Sequence, residues 1–189
     1  MDLVAIFLKL CKTISMNVVE SLRYSHELLK KENIPHALIG GMALSEYGYG
    51  RGTQDVDWLI PEESAERVKT LLLGDGFTVF HEQPDVMQFE GKAPIDFIIA
   101  RRPISQEMLR NATLSQTLDL PVVLVEDLIG LKIQAYAGNP RRIHKELSDI
   151  GELIDRCDNL NWEKIKFYAD FFNEWETLLT LKRDESNNA

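Results

Sequence analysis

Two short segments joined by a glycine-rich loop restrict this chain more than anything else in it. They are His36-Ala-Leu-Ile39 running into Gly40-Gly41, and Asp55-Val-Asp-Trp-Leu-Ile60. The first is an apolar run ended by residues that permit a tight turn, so it reads as a buried strand. In the second, acids alternate with Val56 and Trp58 before an apolar end. A strand points successive side chains to opposite faces, so Asp55 and Asp57 share a face, roughly 7 Å apart. Two carboxylates placed in this way repel each other unless a cation lies between them. Oxygen donors suit a hard ion, Mg²⁺ or Mn²⁺.

A third acid belongs to the same argument. Asp96 lies in Ile95-Asp-Phe-Ile-Ile-Ala100, an otherwise apolar strand with the character of a central one. An unpaired carboxylate is costly to bury there, and a shared metal supplies a partner. Gly40 and Gly41 end one strand and open a short helix, Met42 to Tyr47, so the backbone can approach a ligand and offer N–H groups to phosphate. Gly48, Gly50 and Gly52 mark a flexible loop before the acids.

The rest of the chain supplies a frame. Val18, Val19, Leu22, Leu28 and Leu29 give a helical stripe from Met16 to Lys31, stopped at Asn33 and Pro35. Pro61 opens a helix over Glu62 to Leu73. Phe77–His81 and Val86–Phe89 form a hairpin around Gln83-Pro84-Asp85. After Pro121-Val-Val-Leu124 the pattern is helical: Glu126 to Tyr136, Pro140 to Cys157 and Trp162 to Leu181. The expected architecture is a mixed α/β (α+β) sheet domain with a helical C-terminal part. Its boundaries are 1–120 for the core with its N-terminal helices and 121–189 for the helices packed on it.

Composition narrows the function. A net charge of −9 argues against general coating of nucleic acid, which Lys and Arg mediate, though it permits a local basic groove. Two cysteines without CxxC spacing make neither a disulfide framework nor a zinc site, and they fit free thiols in a reducing cytoplasm. The apolar N-terminal run is broken by Lys9 and Lys12. It lacks a signal-peptide pattern and the roughly 20 apolar residues of a membrane span. It reads as a helix packed on the domain, with Met16 as an alternative start. The localisation expected is cytoplasmic, with no membrane contact.

Leu38-Ile-Gly-Gly, a thirteen-residue spacer, Asp-Val-Asp-Trp and a later apolar-Asp-apolar strand together resemble the signature of the DNA polymerase β-type nucleotidyltransferase superfamily. The likeness is strongest from His36 to Ile60 and extends more loosely to Cys157. A narrower likeness, through Gly-Gly-Met-Ala-Leu, Tyr-Gly, Arg51, Thr53 and Asp-Val-Asp, is to the AbiEii-type toxins and related small bacterial nucleotidyltransferases. It implies transfer of a nucleoside monophosphate from a nucleoside triphosphate to a hydroxyl of RNA, protein or a small molecule, in a toxin–antitoxin setting. An antitoxin partner or a homodimer belongs to that picture. The alternative is an inactive member kept as a binding or regulatory partner.

The resemblance makes Asp55, Asp57 and Asp96 catalytic metal ligands and Gly40, Gly41, Arg51, Thr53, Lys132, Arg142 and Asp149 the nucleotide-binding set, with Lys132 and Asp149 at motif positions. Lys132 is read either as a helix-surface lysine or as a phosphate contact. Arg51 and Thr53 steady the loop or touch phosphates. Arg142, Lys145 and Asp149 share a helical face in a basic run that includes Arg141 and His144; this run is a solvated face or the seat of an anionic acceptor. Trp162, Phe167, Phe171, Phe172 and Trp175 have helical spacing and are read as core or a dimer face. His36 and His81 are read as structural.

Overall fold

The computed structural model describes residues 16–181. The N-terminal helix expected before Met16 lies outside these residues, as does Cys11. Helix α1 (Val18–Lys31) begins with a capping box, in which Asn17 accepts from the Val19 and Glu20 amides and Glu20 accepts from the Asn17 amide. Strand β1 (Ala37–Ile39) follows, then a one-turn helix α2 (Gly40–Ala43) continued by a 3-10 turn to Tyr47. Next come β2 (Val56–Pro61), α3 (Ala65–Gly74), the hairpin β3 (Thr78–Gln83) and β4 (Val86–Glu90), and β5 (Ile95–Ala100). Two elements emerge that the pattern reading left unassigned: α4 (Pro103–Arg110), opened by its proline, and the two-residue strand β6 (Thr113–Leu114). Strand β7 (Pro121–Val122) joins the sheet, and α5 (Val125–Gly138), α6 (Ile143–Arg156), α7 (Trp162–Phe171) and α8 (Trp175–Leu179) complete the chain.

The expected helix from Trp162 to Leu181 is in fact two. It breaks at Asn173, whose φ of 59° is left-handed and ends α7. No helix among the described residues is long and apolar enough to cross a membrane.

The seven strands form one mixed sheet in the order β3-β4-β5-β2-β1-β7-β6. Strands β2 and β5 pair in parallel at its centre, flanked by antiparallel β1 and β4. The register sets Ile39 opposite Asp57, Asp57 opposite Asp96, and Asp96 opposite Gln88. Four residues from four strands thus form one row across the sheet.

The two faces carry different chemistry. Trp58, beside Asp57 in sequence, points the other way and is fully buried. Its indole donates to the Ser25 hydroxyl of α1, and it stacks on His26 and meets His36 edge-on. Helix α3 lies beside α1 on this face, joined by the Arg67–Glu32 ion pair. The C-terminal helices cover the acidic face. Asp127 of α5 is fully buried and is met by the Tyr168 hydroxyl at 2.5 Å and Lys164 at 2.6 Å, which tie α7 to α5.

His26 and His36 are paired beneath the sheet. The His36 Nδ1–H donates to the Ile34 carbonyl at 2.7 Å, which leaves its Nε2 to accept from His26 Nδ1–H at 2.9 Å. This chain of bonds needs the His36 ring neutral. Burial holds both below the ordinary histidine value; Lys30 adds to this at His26 against Glu27 and Asp119, and His26 adds to it at His36 against the Ile34 carbonyl. Below pH about 6.5 the unfolded chain takes up protons that the fold refuses, so stability falls with acidification. Between pH 7.5 and 5.5 the wild type is expected to lose more thermal stability than a His26→Gln/His36→Gln variant. Equal slopes in a melting series would refute it.

Candidate active site

Gly40 has φ +68°, a conformation that side chains rarely adopt, and a Cβ there would fall 1.9 Å from Asp57 Oδ2. A Cβ on Gly41 would meet Thr53 Oγ1 at 2.8 Å. The paired glycines therefore let the turn after β1 press against β2 and the loop before it. Through that approach the Gly41 amide favours the charged form of the Asp57 carboxylate.

Asp55, Asp57 and Asp96 converge. Each offers a carboxylate oxygen, and these oxygens all lie within 4.8 Å of one another. Asp55 precedes the first residue of β2 and accepts from Thr53 Oγ1 at 2.5 Å. Asp96 accepts from Gln88 Nε2 at 2.5 Å, across the β4–β5 register. Crowding has an electrostatic cost. Burial, then Asp55, then Asp96 push Asp57 up to about 7, against the Gly41 amide and Lys132. Asp96 is also raised, by burial and by Asp55, with the Gln88 bond opposing. Such a cluster is deficient in positive charge.

Positive charge stands on the facing wall. Lys132 is not a surface lysine: it is 5 % exposed and contacts Asp149 at 2.5 Å and Glu146 at 3.0 Å. Arg51 grips the same Asp149 with two bonds, 2.7 and 2.9 Å, reaching from the glycine loop to α6. Arg142 holds Glu146 at 2.6 Å. Three cations share two carboxylates, a net charge of +1. Burial alone would raise Asp149, but the bonds from Arg51 and Lys132 outweigh it and hold the carboxyl below its usual range. Asp149, itself buried, sits behind Arg51 and Lys132.

One cavity of about 490 Å³ unites these groups. Gly40, Gly41, Arg51, Thr53, Asp55, Asp57, Asp96, Lys132 and Arg142 all line it. Lys145 also lines it, so part of the basic run borders the cavity while staying exposed to solvent. Gln88 and Glu146 were missed by the sequence reading. Gln88 is legible only once β4 and β5 are in register, and Glu146 had as its signal the four-residue spacing from Arg142.

No family model matches the chain, and no curated protein matches its sequence. Solved structures do match its shape. An antibiotic-resistance factor, ANT(2″)-Ia in complex with adenylyl-2″-tobramycin, superposes with a TM-score of 0.64 at 16 % identity, over 82 % of this chain and 96 % of that one. The lincosamide antibiotic adenylyltransferase LnuA, lincomycin-bound, gives 0.54 at 16 % identity, over 73 % and 98 %. A nucleotidyltransferase-like protein from Paracoccidioides brasiliensis gives 0.55 at 17 %, over 84 % and 88 %. The chain has the nucleotidyltransferase fold.

Within this nucleotidyltransferase fold, the strain at Asp57 gives a sign that can be tested. The folded carboxyl holds its proton to a higher pH than the unfolded one, so its contribution to stability is present below pH about 4 and lost as pH rises through about 7. At pH 8 the metal-free Asp57→Asn variant is expected to be more stable than wild type by about 1–2 kcal/mol, or roughly 3–6 °C in melting temperature. Added Mg²⁺ is expected to raise the wild-type melting temperature and not that of the variant. Calorimetry at pH 5 and 8 checks both statements; a variant destabilised at pH 8 would refute the first.

Proposed function

We propose that the protein is a metal-dependent nucleotidyltransferase that moves a nucleoside monophosphate from a nucleoside triphosphate to an acceptor hydroxyl. The observation that carries this reading is the row of Asp57 and Asp96 beside Asp55, with Gly40–Gly41 at one end and a net-positive wall above it. The donor set fits a divalent cation: three carboxylates, all oxygen, converge closely and repel one another in its absence. Asp55, Asp57 and Asp96 would hold Mg²⁺ or Mn²⁺. Such ions, when bound, neutralise charge on the transferring phosphoryl group and the departing pyrophosphate.

The protein's own groups have the following parts. Gly40 and Gly41 bring backbone to the phosphates. Arg51 and Thr53 flank them from the loop, and Lys132, Arg142 and Lys145 supply positive charge along the polyphosphate. Asp149 is a positioning residue for Arg51 and Lys132. Asp96 receives the acceptor proton. Gln88 fixes its orientation for that task.

The step balances. The acceptor oxygen forms a bond to the α-phosphorus, and its proton passes to Asp96. The bond from the α-phosphorus to the oxygen bridging to the β-phosphate breaks, and pyrophosphate leaves with that electron pair. Such a displacement needs the attacking and leaving oxygens roughly in line.

The test is a transfer assay with each of the four nucleoside triphosphates and Mg²⁺ or Mn²⁺, with pyrophosphate release as the readout. Asp57→Ala and Asp96→Asn are each expected to lower turnover at least ~100-fold. Lys132→Ala is expected to raise KM for the nucleotide more than it lowers kcat. Unchanged release by Asp57→Ala would overturn the proposal.

A further inference from the structure

A second cavity, of about 300 Å³, lies next to the first and shares the lining residues Ile98, Leu131 and Gln134 with it. Ile98 lies two residues beyond Asp96 on β5, so both side chains stand on the same face of the sheet. The remaining wall comes from α4 and α7, chiefly Ile104, Met108, Phe167, Tyr168 and Phe171. Phe167 and Phe171 were expected to be core or a dimer face. They are 59 % and 71 % exposed and stand at the mouth of this cavity.

Three observations give the cavity a part in the reaction, an assignment that rests on the nucleotidyltransferase reading above. The first is its place. Across the sheet the order is Gly40–Gly41 after β1, Asp57 on β2, Asp96 on β5. If pyrophosphate departs on the glycine side, an in-line nucleophile enters from the opposite side, past Asp96. The cavity opens there. The second is adjacency, since three residues form walls of both cavities. The third is chemistry. The lining is aliphatic and aromatic, and its cation, Arg102, is paired with Asp85 at 3.2 Å. A phosphate backbone needs unspent Lys and Arg, and a polycationic acceptor needs unspent acids. The volume is at the lower end of the range that small-molecule sites occupy.

We infer that this cavity is the acceptor site and that the acceptor is a small, predominantly apolar or aromatic molecule bearing a hydroxyl group. Its ring or alkyl body packs against Phe167, Phe171 and Met108. Gln134 and Ser105 are the polar groups available to orient it, and its hydroxyl points past Ile98 toward Asp96. Transfer then forms an oxygen–phosphorus bond on that hydroxyl, with pyrophosphate as the other product.

The experiment uses the full chain with 2-naphthylethanol as the acceptor probe, followed by ligand-detected NMR. Kanamycin stands for polycationic acceptors and a short RNA with a free 3′-hydroxyl for polymeric ones. Nucleotide binding is read separately, by calorimetry with Mg²⁺ and the α,β-methylene analogue of whichever common triphosphate binds best. The wild type is expected to bind the naphthyl alcohol, and Phe171→Asp to bind it at least ~10-fold more weakly, with nucleotide affinity kept within twofold. Phe171 is exposed enough for this change to leave the fold intact, and Phe167→Asp provides a second variant with the same expectation. The inference is overturned if the alcohol fails to bind, if both variants bind it as the wild type does, or if RNA or kanamycin displaces it. Absence of any nucleotide binding sinks the nucleotidyltransferase reading itself. That failure is distinct, because the alcohol titration reads the cavity alone.

Discussion

Mutual repulsion among Asp55, Asp57 and Asp96 is the constraint around which the rest of the molecule is arranged. Their oxygens are within 4.8 Å of one another, and a sheet does not relax to let them apart. Asp57 and Asp96 are locked opposite each other by the parallel β2–β5 ladder, continuous from Val56/Ile95 to Pro61/Ala100. On the far face Trp58 and Phe97 bury the same strands in the core, and Trp58 is anchored to α1. The acids cannot turn away without pulling these side chains into water. A register slip of one residue would exchange the two faces altogether. The folded chain thus stores an unfavourable charge distribution, and a bound cation would relieve it. Stability given up at a site for the sake of binding is a common exchange.

The cationic wall answers that charge without cancelling it. Buried ion pairs are poor stabilisers because desolvation offsets the attraction, so the Arg51–Asp149–Lys132–Glu146–Arg142 chain is not best understood as glue. Its geometry points elsewhere. Asp149 and Glu146 on α6 hold Lys132 of α5 at a fixed height above the acids, and Arg51 joins the glycine loop to the same anchor. The network retains a net charge of +1, so it attracts an anion while keeping its own members solvated by one another. Removing Asp149 would release Arg51 and leave Lys132 with Glu146 alone, and removing Glu146 would release Arg142, so both carboxylates matter to the wall even though neither need touch a ligand.

Much of this was legible in the chain because local chemistry and global placement agree at the acids. Alternation put Asp55 and Asp57 on one face, and the apolar surroundings of Asp96 required a partner for it. Gly40 was read as a place of close approach, and the structure gives the reason as Asp57 itself. What could not be read depended on long-range register or on packing between elements. Gln88 is an ordinary polar residue of a hairpin until β4 lies against β5. Lys132 looked like either of two things, since helical periodicity does not say that two carboxylates fourteen and seventeen residues later fold over it. The break at Asn173 depends on a single left-handed residue that asparagine tolerates and does not require. Phe167 and Phe171 kept their helical spacing, but spacing alone does not distinguish a core stripe from a face left open beside a cavity.

That open face bears on how such a site would favour an acceptor hydroxyl over water. The donor end is polar and charged, so water has ready access to the phosphates. Hydrolysis is then limited only if the line of attack on the α-phosphorus is dry or already occupied. On the proposed reading the approach past Asp96 leads over Ile98 and Leu131 toward the apolar cavity, where a water molecule finds few hydrogen-bond partners. An acceptor lodged there would displace what water remains and bring its oxygen beside Asp96 as a fixed neighbour, which would remove much of the entropic cost of the encounter. A polar trough at the same position would admit water as readily as an alcohol. On the proposed reading, the contrast between a charged cradle on one side of the carboxylates and an apolar cleft on the other would serve a transferase better than a hydrolase.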